Sequence, residues 1–133
     1  MPSSRCYHRD MPTDITVGLV NQPGTLLTAT DTLARAGINI DGLFGYVCEG
    51  KGVFHILVQE AERARRALLD AGFEIQAERR VAVTSLENRP GSASEVLRRV
   101  SEAGANIDLV YVAADGRLVL GGDDEPGIRR AIG

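Results

Sequence analysis

The residues best suited to chemistry come in two matched sets. Asn21-Gln22-Pro23-Gly24-Thr25 is followed by Asn39-Ile40-Asp41, and Asn88-Arg89-Pro90-Gly91-Ser92 is followed by Asn106-Ile107-Asp108. Each Pro-Gly marks a turn that opens a helix, and the first amides of a helix lack intrahelical acceptors and sit at its positive end. Amides near Gly24 and Thr25, and near Gly91 and Ser92, are therefore placed to receive a carboxylate. The two glycines let a ligand approach the backbone closely. Asn39 and Asp41, and Asn106 and Asp108, offer acceptors for an ammonium group, while Asn21 and Asn88 can donate or accept. A free amino acid presents this pair of groups. The plainer reading is turn chemistry at Asn-x-Pro-Gly, with Asn-Ile-Asp capping and orienting the strand that follows.

Other reactive side chains are scattered. His55 lies in the apolar run Val53–Val58 and should point away from Phe54, Ile56 and Val58. No second ligand stands at metal spacing, so a structural or interface role is expected. Cys48 is near it in the chain, and its plain reading is a buried small hydrophobe. Cys6 and His8 fall in a segment, residues 1–13, with no periodicity and with Pro2 and Pro12, read as a disordered tail. Asp123-Asp124-Glu125 before Pro126 reads as the start of a helix, and Glu62, Arg63, Arg65 and Arg66 as a solvated helix face. No nucleophile–base–acid set is visible. Catalytic residues, metal ligands and a cofactor are therefore not expected, and an enzyme is the weaker reading.

The elements that position these sets are duplicated. Leu19–Asp41 laid over Leu86–Asp108, a shift of 67, gives nine identities in 23 positions, clustered at turn and cap residues. Tyr46-Val47 answers Tyr111-Val112, and Arg65-Arg66-Ala67 answers Arg129-Arg130-Ala131. In the first copy Ile15, Val17 and Leu19 alternate as a half-buried strand. Thr25 is a candidate N-cap; Leu26, Ala29, Leu33 and Ala36 recur at helical spacing, and Gly37 stops the helix. Strands Ile38–Val47 and Val53–Val58 are joined through Gly50-Lys51-Gly52. A helix over Ala61–Ala71 and a strand over Phe73–Ala77 complete the copy. In the second copy Ser92-Ala93-Ser94-Glu95 reads as a capping box, and Asp115-Gly116 as a hairpin turn.

The expected fold class is α+β: two ferredoxin-like βαββαβ modules in tandem, 14–79 and 80–133, each an antiparallel sheet with both helices on one face. The second module lacks its last strand. The vacated edge calls for a cover from the sister copy or a second chain, so a homo-oligomer, a dimer, is expected.

Composition bounds the partners. The chain of 133 residues carries a net charge of −3, with a pI of about 5.4, which argues against a phosphate-backbone binder. RNA binding through the sheet fails for want of aromatic stacking residues. No apolar run is long enough to span a membrane. Two cysteines without C-x-x-C spacing suggest a reducing compartment, and a cytoplasmic location is the expectation.

The paired motifs, Asn21-Gln22-Pro23-Gly24 with Gly37-Ile38-Asn39-Ile40-Asp41 and Asn88-Arg89-Pro90-Gly91 with Gly104-Ala105-Asn106-Ile107-Asp108, resemble the ACT domain. The chain resembles small stand-alone tandem ACT proteins. The resemblance implies a non-catalytic regulator that binds an amino acid at the Pro-Gly loop and module interface and controls amino-acid metabolism. The alternative is a regulatory subunit docking on a metabolic enzyme without a ligand of its own. Some serine-binding members carry a histidine two residues before the loop asparagine; Leu19 and Leu86 stand there, which leaves an apolar side-chain pocket equally open.

Overall fold

A computed structural model describes residues 12–133. Cys6, His8 and most of the segment read as a tail lie outside the described residues. The chain divides into two compact units between Arg79 and Arg80.

The first unit holds β1 (Thr13–Val20), α1 (Thr25–Arg35), β2 (Gly42–Cys48), β3 (Lys51–Val58), α2 (Ala61–Asp70) and all but the last residue of β4 (Glu74–Arg80). Its strands lie in the order β2-β3-β1-β4, and β3 runs antiparallel to both β1 and β2. Alternation explains the two faces. Ile15, Val17, Phe54, Ile56 and Val58 pack against Leu33 of α1 and Ala64 and Leu68 of α2, all buried. The core therefore sits between one face of the sheet and both helices.

On the other face Thr16, His55 and Phe44 share a row, and Asp14, Leu57 and Gly42 share the next. Leu57 is fully buried there, whereas Val53 and His55 are only partly covered. The expectation that Val53–Val58 buries both faces holds at one end of the strand and lapses toward the other.

The second unit holds β5 (Ala82–Ser85), α3 (Ser92–Glu102), β6 (Leu109–Ala113), a 3₁₀ turn (Ala114–Gly116), β7 (Arg117–Gly121) and α4 (Glu125–Ile132). Its strand order is β5-β7-β6, both pairings antiparallel. Ala82, Leu118 and Leu120 meet Val96 and Val100 of α3 and Ile128 and Ile132 of α4. The sheet has three strands among the described residues, with four-residue β5 at an edge. Asp124 caps α4 by accepting from the Gly127 N–H at 3.0 Å, as the acidic run before Pro126 suggested. No helix among the described residues is long and apolar enough to cross a membrane.

Three local expectations are corrected. The first hairpin turns at Glu49-Gly50, both with positive φ (52° and 78°), and Lys51-Gly52 already belongs to β3. Glycine at the second of two left-handed positions suits a two-residue turn whose twist matches the strands. Next, β2 begins at Gly42 rather than Ile38, because Ile38 N–H returns to Leu33 O and closes the helix end. Lastly, Tyr46 is not the counterpart of Tyr111. Val17↔Phe54↔Gly45 matches Thr84↔Leu118↔Val112, which puts Phe44 in the place of Tyr111.

The same register shows that the first hairpin is longer. Residues 46–53 separate Gly45 from Phe54, whereas only residues 113–117 separate Val112 from Leu118.

Truncating the fully buried Ile56 or Leu120 to alanine should cost about 2–5 kcal/mol, whereas the same change at Leu27, 65% exposed, should cost a small fraction of that. Urea denaturation of the three variants checks this.

Candidate functional site

Both Pro-Gly loops make the same turn. Gly24 (φ 89°) and Gly91 (φ 86°) are the N-caps of α1 and α3, both left-handed, and no side chain caps either helix. This corrects two expectations. Thr25 is the first helical residue, and its hydroxyl donates backwards to Val20 O at 2.7 Å and Gln22 O at 3.1 Å. Ser92 likewise lies inside its helix, and the Ser92–Glu95 capping box does not form. A left-handed cap requires glycine, and with glycine there the side-chain oxygen falls one residue too late to cap.

The shift by one residue also moves the open donors. Thr25 N–H goes to Gln22 O at 3.4 Å, and Thr28 N–H to Gly24 O at 3.0 Å. The intervening amides of Leu26 and Leu27 have no intrahelical acceptor and no cap. They are the donors this loop can offer a carboxylate.

The two halves of each expected set are not brought together within a module. Asn21 follows the row Val20↔Lys51↔Cys48, whereas Asp41 N–H bonds Leu57 O, in the row Asp14↔Leu57↔Gly42. Six residues of extended strand separate these rows, about 20 Å. The second module repeats the separation: Leu86 N–H meets Gly116 O, and Asp108 N–H meets Gly121 O at the other end. One small ligand cannot span both sets of one module. Asn39 and Asp41 satisfy each other instead, Nδ2 donating to Oδ1 at 2.6 Å. Ile40 and Ile107 pack against the two cores.

Two cavities flank the first loop. One of about 440 Å³ is bounded by Asn21, Thr25, Leu26, Leu43, Val47 and Phe54. The other, about 540 Å³, includes Gly18, Asn21, Lys51, Gly52, Glu74 and Gln76 in its lining. Leu19, Val20, Asn21, Thr25 and Gly52 border both. The longer first hairpin supplies much of these walls. Lys51, Glu74 and Gln76 carried no motif and were not singled out from sequence; only the register shows that β3 and β4 end beside the loop.

At the second loop Arg89 is engaged. Its Nε donates to Glu87 at 2.8 Å and its Nη2 to Glu95 at 3.0 Å. Hydrogen bonding to Glu87, then to Glu95, holds the guanidinium further above its usual range. The Arg89 hydrogen bond and charge hold the Glu95 carboxyl below its usual value. Module one has Gln22 and Thr28 at these positions.

His55 points away from the helices as expected, and it has a partner that sequence reading missed. Its Nδ1 lies 2.9 Å from Oδ1 of Asp14, which is fully buried, and 3.3 Å from the Thr16 hydroxyl. Tyr46 stacks on the ring at 6.3 Å, with Phe44 at 5.9 Å. A polar Asp14-x-Thr16 on an otherwise apolar strand was the available signal. Cys48 is exposed, not buried, and lies four residues along β2 from Phe44, the register partner of His55, so no Cys–His pair forms. No group of histidine, cysteine and acidic residues able to hold a metal occurs among the described residues.

Tandem ferredoxin-like modules with uncapped Pro-Gly loops define the class. The family model for the ACT domain pair matches residues 11–132, and the chain belongs to that family. Among solved structures, protein BT0572 from Bacteroides thetaiotaomicron is similar at 24% identity, with a TM-score of 0.80, over 90% of this chain and 85% of that one. The ligand-free regulatory subunit of aspartate kinase from Thermus thermophilus is similar at 21% identity, with a TM-score of 0.68, over 92% and 90%. The corresponding subunit from Thermus flavus gives 21% identity, a TM-score of 0.67, and the same coverage. These likenesses concern the fold. No curated protein matches the chain.

Two outcomes test this geometry. Gly24→Ala, with open space around the site but φ at 89°, should cost about 1–2 kcal/mol, measured by urea denaturation. The Glu95 carboxyl, followed by NMR during acid titration, should protonate below the ordinary glutamate range and return to it in Arg89→Gln. Because its folded value is depressed, any stabilisation from this pair is present above the ordinary glutamate value and lost as pH falls through the folded one.

Proposed function

We propose that the chain is a non-catalytic regulatory protein that binds an amino acid at the Asn21–Thr25 loop of its first module. The carrying observation is the pair of cavities that meet at this loop, beside a helix start with two uncapped amides. Cavities of 300–1,000 Å³ suit small ligands. The helix start favours an anion. Membership in the ACT domain pair family supports the regulatory reading. The cavity of about 440 Å³ is walled by Leu26, Leu43, Val47 and Phe54, which selects an apolar side chain over a hydroxylated one.

Asn88, Pro90, Gly91 and Ser92 form the second candidate loop. Asn39, Ile40, Asp41, Asn106, Ile107 and Asp108 lie too far from the loop of their own module to share its ligand. A module of a second chain closing over the loop is the proposed place for such a contact.

Association is the second part of the reading. β2 is an edge strand with Leu43, Phe44, Tyr46 and Val47 all at least 39% exposed, an apolar edge that invites pairing with another chain. A homodimer or docking on a metabolic enzyme draws on this same edge. A cytoplasmic location accompanies the reading, in keeping with the two cysteines and their spacing.

Thermal-shift measurement against the twenty standard amino acids should give a rise in Tm with one or more apolar ones, since ligand at a hundredfold over Kd adds about 2.7 kcal/mol. No shift with any of them at millimolar concentration would sink the sensor reading. Light scattering should return about twice the 14.2 kDa chain mass.

A further inference from the structure

We infer that Lys51 and Glu74 are the charge-reading residues of the first module's site, Lys51 taking the α-carboxylate of a zwitterion and Glu74 its α-ammonium. This rests on the amino-acid reading of the Asn21–Thr25 loop and names which side chains distinguish a zwitterion from other small molecules.

Three observations carry it. First, the two charges are opposite, line one cavity of about 540 Å³, and share it with Asn21. Second, neither forms an ion pair among the described residues, whereas Glu78, on the same strand as Glu74, pairs with Arg65. Third, Glu74, although exposed, lies over the sheet at Gly18. A Cβ on Gly18 would lie only 2.8 Å from its Oε1 and 2.7 Å from Gln76 Nε2, so the bare glycine is what admits the two polar groups. The acceptor expected from Asn39 and Asp41, held at the far end of the sheet, is thus supplied from β4.

The second module does not repeat this constellation. Gly116 faces Leu86 as Gly52 faces Leu19, so the residue before it, Asp115, stands where Lys51 stands and reverses the charge. Arg89 at the loop is held by Glu87 and Glu95. One amino acid per chain follows.

Calorimetric titration of the full chain with L-valine, L-leucine, L-isoleucine, L-methionine and L-phenylalanine tests this. The tightest binder is then compared with its decarboxylated amine and its 2-oxo acid. Expected are one site per chain, a loss of about tenfold or more for the amino acid in both Glu74→Gln and Lys51→Met, and unchanged affinity in Glu78→Gln. Glu74→Gln should leave the 2-oxo acid bound as in the parent, and Lys51→Met should leave the amine so; a misfolded variant would lose both. Undiminished amino-acid affinity in Glu74→Gln and Lys51→Met, or two sites per chain, overturns the inference while the sensor reading stands. No binding by any of the five amino acids overturns both.

Discussion

The antiparallel register of β1 on β3 is the constraint on which the first module depends. Its eight pairs run from Thr13↔Val58 to Val20↔Lys51, and they set which residues face the helices. A slip of β1 by one residue would turn Ile15 and Val17 out of the core and carry Asp14 and Thr16 into it. Leaving a fully buried carboxylate without its imidazole partner would cost several times an ordinary hydrogen bond. Apolar burial on one face and the Asp14–His55 contact on the other therefore specify the same register.

The proposed site lies where that register ends. Val20 and Lys51 are the last pair, so the Pro-Gly loop, the first hairpin and the start of β4 converge at one end of the sheet. Glycines open that end: Gly18 leaves room for Glu74 and Gln76, and Gly24 reverses the chain into α1 without a side-chain cap. A capped helix would satisfy its own first amides. This one leaves the amides of Leu26 and Leu27 open.

The two modules diverged in the parts that contact solvent. Their cores use the same positions, with Ile15, Phe54 and Ile56 answered by Ala82, Leu118 and Leu120. The hairpin, however, lost three residues in the second copy relative to the first, and Gln22 and Thr28 are answered by Arg89 and Glu95, which bond each other. Surface ion pairs of this kind contribute little to stability. Their effect is to occupy the donors and acceptors of the loop.

The duplication, the element types and the α+β class were legible in the chain alone. Alternating Ile15-Val17-Leu19, the helix-stop glycines and the repeated Asn-x-Pro-Gly depend on local backbone preference and periodicity, which adjacent residues determine. The caps were misplaced by one residue, because whether Gly24 or Thr25 caps depends on a left-handed φ that residue type permits but does not dictate. The distance between Asn21 and Asp41, the Asp14–His55 contact and the placing of Lys51 and Glu74 in the lining of one cavity were decided only by tertiary structure. Each depends on which strands pair and in what register, and that is settled by burial summed over the whole sheet rather than by any segment's own residues.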